Sequence, residues 1–119
     1  MSKEIIYQML PRLWGNIDKN NQPNGSIEEN GCGKFSSIDS ESLEYIKSLG
    51  ATCVWYTGIL RHATACGTHG CVPSSSDWVK GKAGSPYSIT DYYDVTTYLA
   101  VSAENRMDEF RALVHRTHE

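Results

Sequence analysis

No apolar run in this 119-residue chain approaches the roughly 18 residues that a membrane span requires. Nor is there an excess of basic residues. The net charge is −3, which argues against nucleic acid or an anionic membrane surface as partner. Internal repeats and low-complexity tracts are absent, which sets aside a repeat array. The stretch from Met1 to Gln8 lacks the basic-then-apolar layout of a secretory signal, so the chain as written reads as cytoplasmic. Cysteine is sparse: Cys32, Cys53, Cys66 and Cys71 form no disulfide framework, although a Cys66–Cys71 bridge in an oxidising compartment stays open. Cys53 lies in an apolar run and is expected to be a small buried hydrophobe. Hydrophobic residues, at 39%, are on the low side for a compact core. Seven Tyr and three Trp suit sugar binding, and ordinary core packing accounts for them equally well.

The elements that are present follow one another in a readable order. Residues 4–10, EIIYQML, form a β-prone run that Pro11 stops. Residues 15–37, rich in Gly and Asn, predict a long loop. A helix then starts at Asp39, a good N-cap. Ile38 and Leu43 stand at the positions of a hydrophobic staple, and Glu41 lies where the helix dipole favours negative charge. Leu43 and Ile46, with Leu49 or Tyr45, make one apolar face. Gly50 fits the C′ position. The run ATCVWYTGIL, residues 51–60, is nearly all apolar or aromatic at its centre, Cys53 to Tyr56. That is how a parallel strand buried on both faces reads. Strand, helix and strand together imply a right-handed βαβ unit.

Residues 61–90 carry no helical periodicity, and a loop of that length is usually functional. The following ITDYYDVTTYLAV is expected to hold a short extended piece at most. A last helix is marked by Met107, Phe110, Leu113 and Val114. Asn105 is its expected cap and Asp108 its capping-box partner, while Arg111, His115 and Arg116 lie toward the end that favours positive charge. Two parallel strands cannot cover both of their own faces. The pattern β-α-β-(long loop)-α therefore reads as the opening of a larger α/β fold.

Four separated segments carry a resemblance. IIYQMLPRLWGN (5–16) resembles the opening strand of the α-amylase family, glycoside hydrolase family 13. IKSLGATCVWYTGIL (46–60) resembles that family's first helix end and second barrel strand. SPYSITDYYDV (85–95) resembles the stretch after the second-strand loop, and MDEFRALVHRTHE (107–119) the second barrel helix. GKFSSID (33–39) fits the lead-in to the first helix. The resemblance implies a (β/α)₈ TIM barrel with its active site at the C-terminal ends of the strands. It implies retaining chemistry at the α-glucosidic bonds of starch-like glucans or maltooligosaccharides, by two carboxyl groups about 5–5.5 Å apart. On this reading residues 1–119 are a single N-terminal portion of a catalytic barrel. The family's catalytic carboxylates fall on later strands, beyond residue 119, and the portion alone is expected to be inactive. Gly58 departs from the family, which often has Pro there.

Among the residues present, Tyr87 matches the Tyr that stacks on the sugar at the cleavage subsite. Asp91 and Tyr92, with Tyr93, match an Asp-Tyr-Tyr whose expected role is structural support near the site, through local hydrogen bonds. Asp91 and Asp94 are not read as a catalytic pair. No cofactor or metal is expected. Asn16, Asp18 and Asn20 only faintly echo the calcium loop of some relatives. His62, Cys66, His69 and Cys71 are zinc-ligand types in a spacing that is not a standard finger. Trp55 is expected in the core, and Trp78 either packs the loop or forms a sugar platform. GNIDKNNQPNG lacks the strand, Gly-rich turn and helix of a phosphate cradle. Self-association is expected, because open strand edges invite another copy. Two other readings are a non-catalytic sugar-binding or oligomerising module derived from such an enzyme, and a small zinc domain.

Overall fold

The computed structural model describes residues 3–64, 79 and 82–119. Strand β1 (Ile6–Met9) and strand β2 (Cys53–Tyr56) pair in parallel, with Ile6 opposite Cys53 and Met9 opposite Tyr56. Between them run a one-turn helix α1 (Ile27–Asn30), a 3₁₀ turn (Phe35–Ser37) and helix α2 (Ser40–Ser48). Strands β3 (Leu60–His62) and β4 (Ile89–Val95) form a second, antiparallel sheet. Two 3₁₀ turns (Thr97–Leu99, Ala103–Asn105) lead into helix α3 (Arg106–His118).

Local chemistry fixes the ends of α2 as the sequence predicts. The Asp39 carboxylate accepts the Ser42 N–H at 2.9 Å, filling one of the donors that a helix start leaves open. Gly50, at φ +93°, closes the other end by donating to the Lys47 carbonyl at 2.9 Å. That left-handed conformation is cheap only for glycine. At α3 the expected cap bond, at Asn105, is not made. The Glu109 carboxylate reaches back, accepting from Val101 N at 2.8 Å and Ser102 N at 2.9 Å. Asp108 pairs with Arg111.

The core lies on one side of the parallel sheet. Met9, Phe35, Ile38, Ile46, Ile59, Val95, Leu99 and Leu113 are buried together. Phe35 meets Phe110 of α3 with ring centroids 6.0 Å apart. Arg116 joins helix to turn, donating to the Ile38 and Phe35 carbonyls at 3.2 and 3.0 Å. Tyr56 Oη and Thr117 Oγ1 share a hydrogen bond of 2.7 Å, which ties the last turn of α3 to the end of β2.

Several expectations need correction. Cys53 is exposed and Trp55 is 50% exposed. Neither lies in the core, because period-two alternation turns Ile6, Gln8, Cys53 and Trp55 away from the helices and nothing among the described residues covers that face. The centre of the 51–60 run is β2, as expected, and a further strand, β3, begins at its end with Leu60, inside the stretch expected to be loop. Gly58 at φ +84° turns the chain between β2 and β3. The ITDYYDV segment is a full seven-residue strand, because β3 supplies its partner. The 15–37 loop contains α1, closed by a capping box between Ser26 and Glu29. No helix among the described residues is long and apolar enough to cross a membrane.

Candidate functional site

Because β1 and β2 are parallel, the segments that follow them emerge on the same side. After β1 the chain turns through Pro11–Trp14, with Leu13 N and Trp14 N both donating to the Leu10 carbonyl. Gly33 tucks under this turn and donates to the Arg12 carbonyl at 2.6 Å. A Cβ on Gly33 would lie 2.2 Å from the Pro11 carbonyl oxygen and 2.3 Å from that of Trp14, so no side chain fits there. After β2, Gly58 approaches Pro86 closely enough that a Cβ would sit 3.1 Å from the Pro86 Cβ. That contact seats the Ser85–Ser88 turn over the C-terminal end of β2.

Tyr87 stands on this turn and is 67% exposed. The backbone beneath it is well held. Tyr87 N donates to Ser85 Oγ at 3.3 Å, Ser88 N to the Ser85 carbonyl at 3.1 Å, and Ala63 N to the Ser88 carbonyl at 2.9 Å. A free ring on a fixed backbone can lie against the C–H face of a pyranose. Asp91 accepts Tyr93 N at 2.8 Å, a local side-chain-to-backbone bond. Tyr92 and Tyr93 are both exposed.

Asp94 faces inward. Arg106 donates to it twice, Nε to Oδ1 at 2.7 Å and Nη2 to Oδ2 at 3.0 Å. Val95 N donates to it at 2.8 Å, and Arg61 Nη1 lies 3.6 Å away. The hydrogen bonds from Arg106, foremost, hold its carboxyl below the usual carboxylate range against the opposing effect of burial. A general acid needs the reverse shift. Asp94 is therefore an ion-pair anchor for α3.

His62 is buried, and both ring nitrogens are engaged. Nδ1 lies 3.1 Å from the Leu60 carbonyl and 3.2 Å from Thr96 Oγ1. Nε2 lies 3.2 Å from the Ala83 carbonyl and 3.0 Å from Tyr98 Oη. Each nitrogen thus faces one carbonyl and one hydroxyl, which satisfies either neutral tautomer. The His62 and Tyr98 rings meet edge to face at 5.7 Å, and burial, above all, pushes the Tyr98 phenol up to about 12. The zinc reading loses His62 as a free ligand, and Cys66, His69 and Cys71 lie outside the described residues, as does Trp78. The pairing of Cys66 with Cys71 lies outside them too.

The calcium echo also resolves into scaffolding. Asn16 Oδ1 accepts Asp18 N at 3.3 Å, Asp18 Oδ1 accepts Asn20 N at 3.0 Å, and Asn20 Nδ2 donates to the Glu29 carbonyl at 2.7 Å. These side chains fold the loop onto α1, and Asn16 and Asp18 each turn an oxygen to a backbone donor.

Two features of this end of the molecule escaped sequence reading. One is the Tyr98–His62 contact. The other is Arg12, whose Nε is buried with no hydrogen-bond partner. At the opposite border of β2, an open apolar groove of about 390 Å³ runs between the strand and α3, lined by Val54, Tyr56, Phe110, Val114 and Thr117 among others.

Comparison with known proteins finds an amylase. The chain is 26% identical over 125 residues to a beta/alpha-amylase of Paenibacillus polymyxa, a match that takes in 99% of this chain and 9% of the amylase. The chain thus spans about a tenth of the length of the curated relative it matches. Its relation to amylases is distant. No protein-family model matches the chain, and no solved structure matches it.

Proposed function

We propose that this chain is the opening portion of a (β/α)₈ barrel in a retaining glycoside hydrolase of the α-amylase family, acting on α-glucosidic bonds of starch-like glucans. The observation that carries the proposal is the amylase match along nearly the whole chain. The geometry supports it. A parallel β1–β2 pair joined through α2, with helices on one face only, is the repeating unit from which such barrels are built. The bare face that holds Ile6, Cys53 and Trp55 would line the barrel interior. The groove beside β2 would receive the next strand, since α3 follows β2 as a second crossover helix.

In this reading Tyr87 stacks on the sugar at the mouth of the barrel, and Asp91 and Tyr92 shape the strand that follows it. The carboxylates of the reaction lie outside residues 1–119. Among the described residues, Asp94 is committed to Arg106 and Asp91 to a local turn, so neither is placed as nucleophile or acid.

The test is an assay of the 119-residue protein on soluble starch and maltoheptaose. No reducing sugar should appear, and measurable release by pure protein would overturn the placement of the carboxylates. Reading the gene past the codon for Glu119 tests the parent. An open frame encoding an apolar strand and then catalytic Asp and Glu is expected. A stop codon there would instead favour a non-catalytic sugar-binding module, the second reading, for which the exposed Tyr87, Tyr92 and Tyr93 speak.

A further inference from the structure

Two asparagines in the segment after β1 stand directly before a glycine, Asn24 before Gly25 and Asn30 before Gly31. In such a pair the backbone nitrogen reaches the preceding side-chain amide most easily, because glycine has no Cβ to obstruct the approach. The fold treats the two pairs alike at the backbone. Gly25 N donates to the Gln22 carbonyl at 2.9 Å, and Gly31 N to the Ile27 carbonyl at 2.7 Å. It treats their side chains differently. The Asn30 amide is pinned at both ends, with Nδ2 donating to the Gln22 carbonyl at 3.0 Å and Oδ1 accepting Gln22 N at 2.7 Å. Asn16 Nδ2 also holds the Asn30 carbonyl, at 3.0 Å. Asn24 is exposed, and its amide makes no hydrogen bond among the described residues. It stands at φ +57° after Pro23, the order that a type II turn calls for. Only the short Gln22–Gly25 turn restrains it.

We propose that Asn24 is a site of spontaneous deamidation, and that its conversion releases Asn30 to follow. Gly25 N loses its proton to solvent and bonds to Asn24 Cγ. The Cγ–Nδ2 bond breaks, and Nδ2 takes up a proton and leaves as ammonia. Water then opens the succinimide ring at either carbonyl. One product is aspartate. The other is isoaspartate, in which the main chain runs through the former side chain and is one carbon longer. Nothing is oxidised or reduced, and water is the one co-reactant. Either product adds a carboxylate to a chain whose net charge is −3. The longer backbone matters more, since it lies inside the turn on which Asn30 depends. Gly25 packs so closely on the Asn30 amide that a Cβ there would lie 2.5 Å from Nδ2. Both partners of that amide belong to Gln22, the first residue of the turn. A turn lengthened at Asn24 shifts Gln22 off Asn30, and the second amide is then as free as the first was.

The experiment incubates the 119-residue protein near pH 8, with and without urea. Peptide mapping follows each amide-to-acid conversion, and fragment ions locate the isoaspartate. In the native protein Asn24 should convert at least about tenfold faster than Asn30, since two hydrogen bonds restrain the latter's amide. Acid at position 30 should arise chiefly in molecules already carrying isoaspartate at 24. In urea the two sites should convert at similar rates. Asn24→Gly removes the amide and suits the positive φ, and it should slow conversion at Asn30 below its wild-type rate. Equal native rates at the two sites, Asn30 converting first, or a ratio unaltered by urea would overturn the site. Conversion of Asn30 as fast in Asn24→Gly as in wild type would overturn the coupling.

Discussion

Arg106 grips Asp94 with two hydrogen bonds, of 2.7 and 3.0 Å, and so fastens the first turn of α3 to the end of β4. Asp94→Asn would leave Arg106 facing a neutral partner. Breaking such a pair from one side should cost about 2–3 kcal/mol, near the lower end for buried pairs because Arg106 is partly exposed. Urea unfolding measures it.

The same pair makes stability depend on pH. The folded-state pKa of Asp94 is depressed, so its contribution is fully present above the unfolded value of about 3.9. It is lost as pH falls through the folded value. Thermal midpoints from pH 6 downward should decline in wild type and decline less in Asp94→Asn. Parallel curves for the two proteins would show that Asp94 carries no such linkage.

Leu113 is fully buried where α3 meets the core. Leu113→Ala should cost about 3 kcal/mol, a large part of the roughly 5–15 kcal/mol available to a typical domain. The urea midpoint should drop sharply, or the protein should fail to accumulate in soluble form.

The face and edges of the parallel sheet that no described residue covers should bring copies together. Light scattering should show mass rising with concentration, and Trp55→Lys should reduce it, because a charge on the open face opposes pairing. A wild-type protein that stays monomeric across the concentration range would count against both the association and the barrel reading.

Thiol chemistry should separate two cysteines. Cys53 is exposed, with its thiol donating to the Glu4 carboxylate at 3.3 Å. Cys32 is half-buried, and burial raises its thiol pKa. Peptide mapping after brief N-ethylmaleimide treatment near pH 8 should find Cys53 modified well before Cys32. The reverse order would mean that the β2 face is covered in solution.

How much of this was legible in the sequence differs with the range of the contact. Helix α2 could be read because Asp39, Ile38, Leu43 and Gly50 are all local signals. Strand β3 could not, since its partner lies about thirty residues away. The expected burial of Cys53 and Trp55 failed for a different reason. An apolar strand shows that it tolerates burial, and another layer must supply it. Tyr87 was singled out only through a family resemblance, and nothing in its own surroundings marks it in the sequence. His62 and Tyr98 meet through the fold, across a sequence gap that no motif spans.

The tuck of Gly33 under the turn after β1 has a genetic corollary. Every amino acid that a single nucleotide change can substitute for glycine brings a Cβ, and here that atom meets fixed carbonyl oxygens. No missense allele at this codon is a mild one. In a survey of natural or random variants, position 33 should stand out as silent or lost, with nothing between, while its neighbour Ser36 on the surface drifts freely.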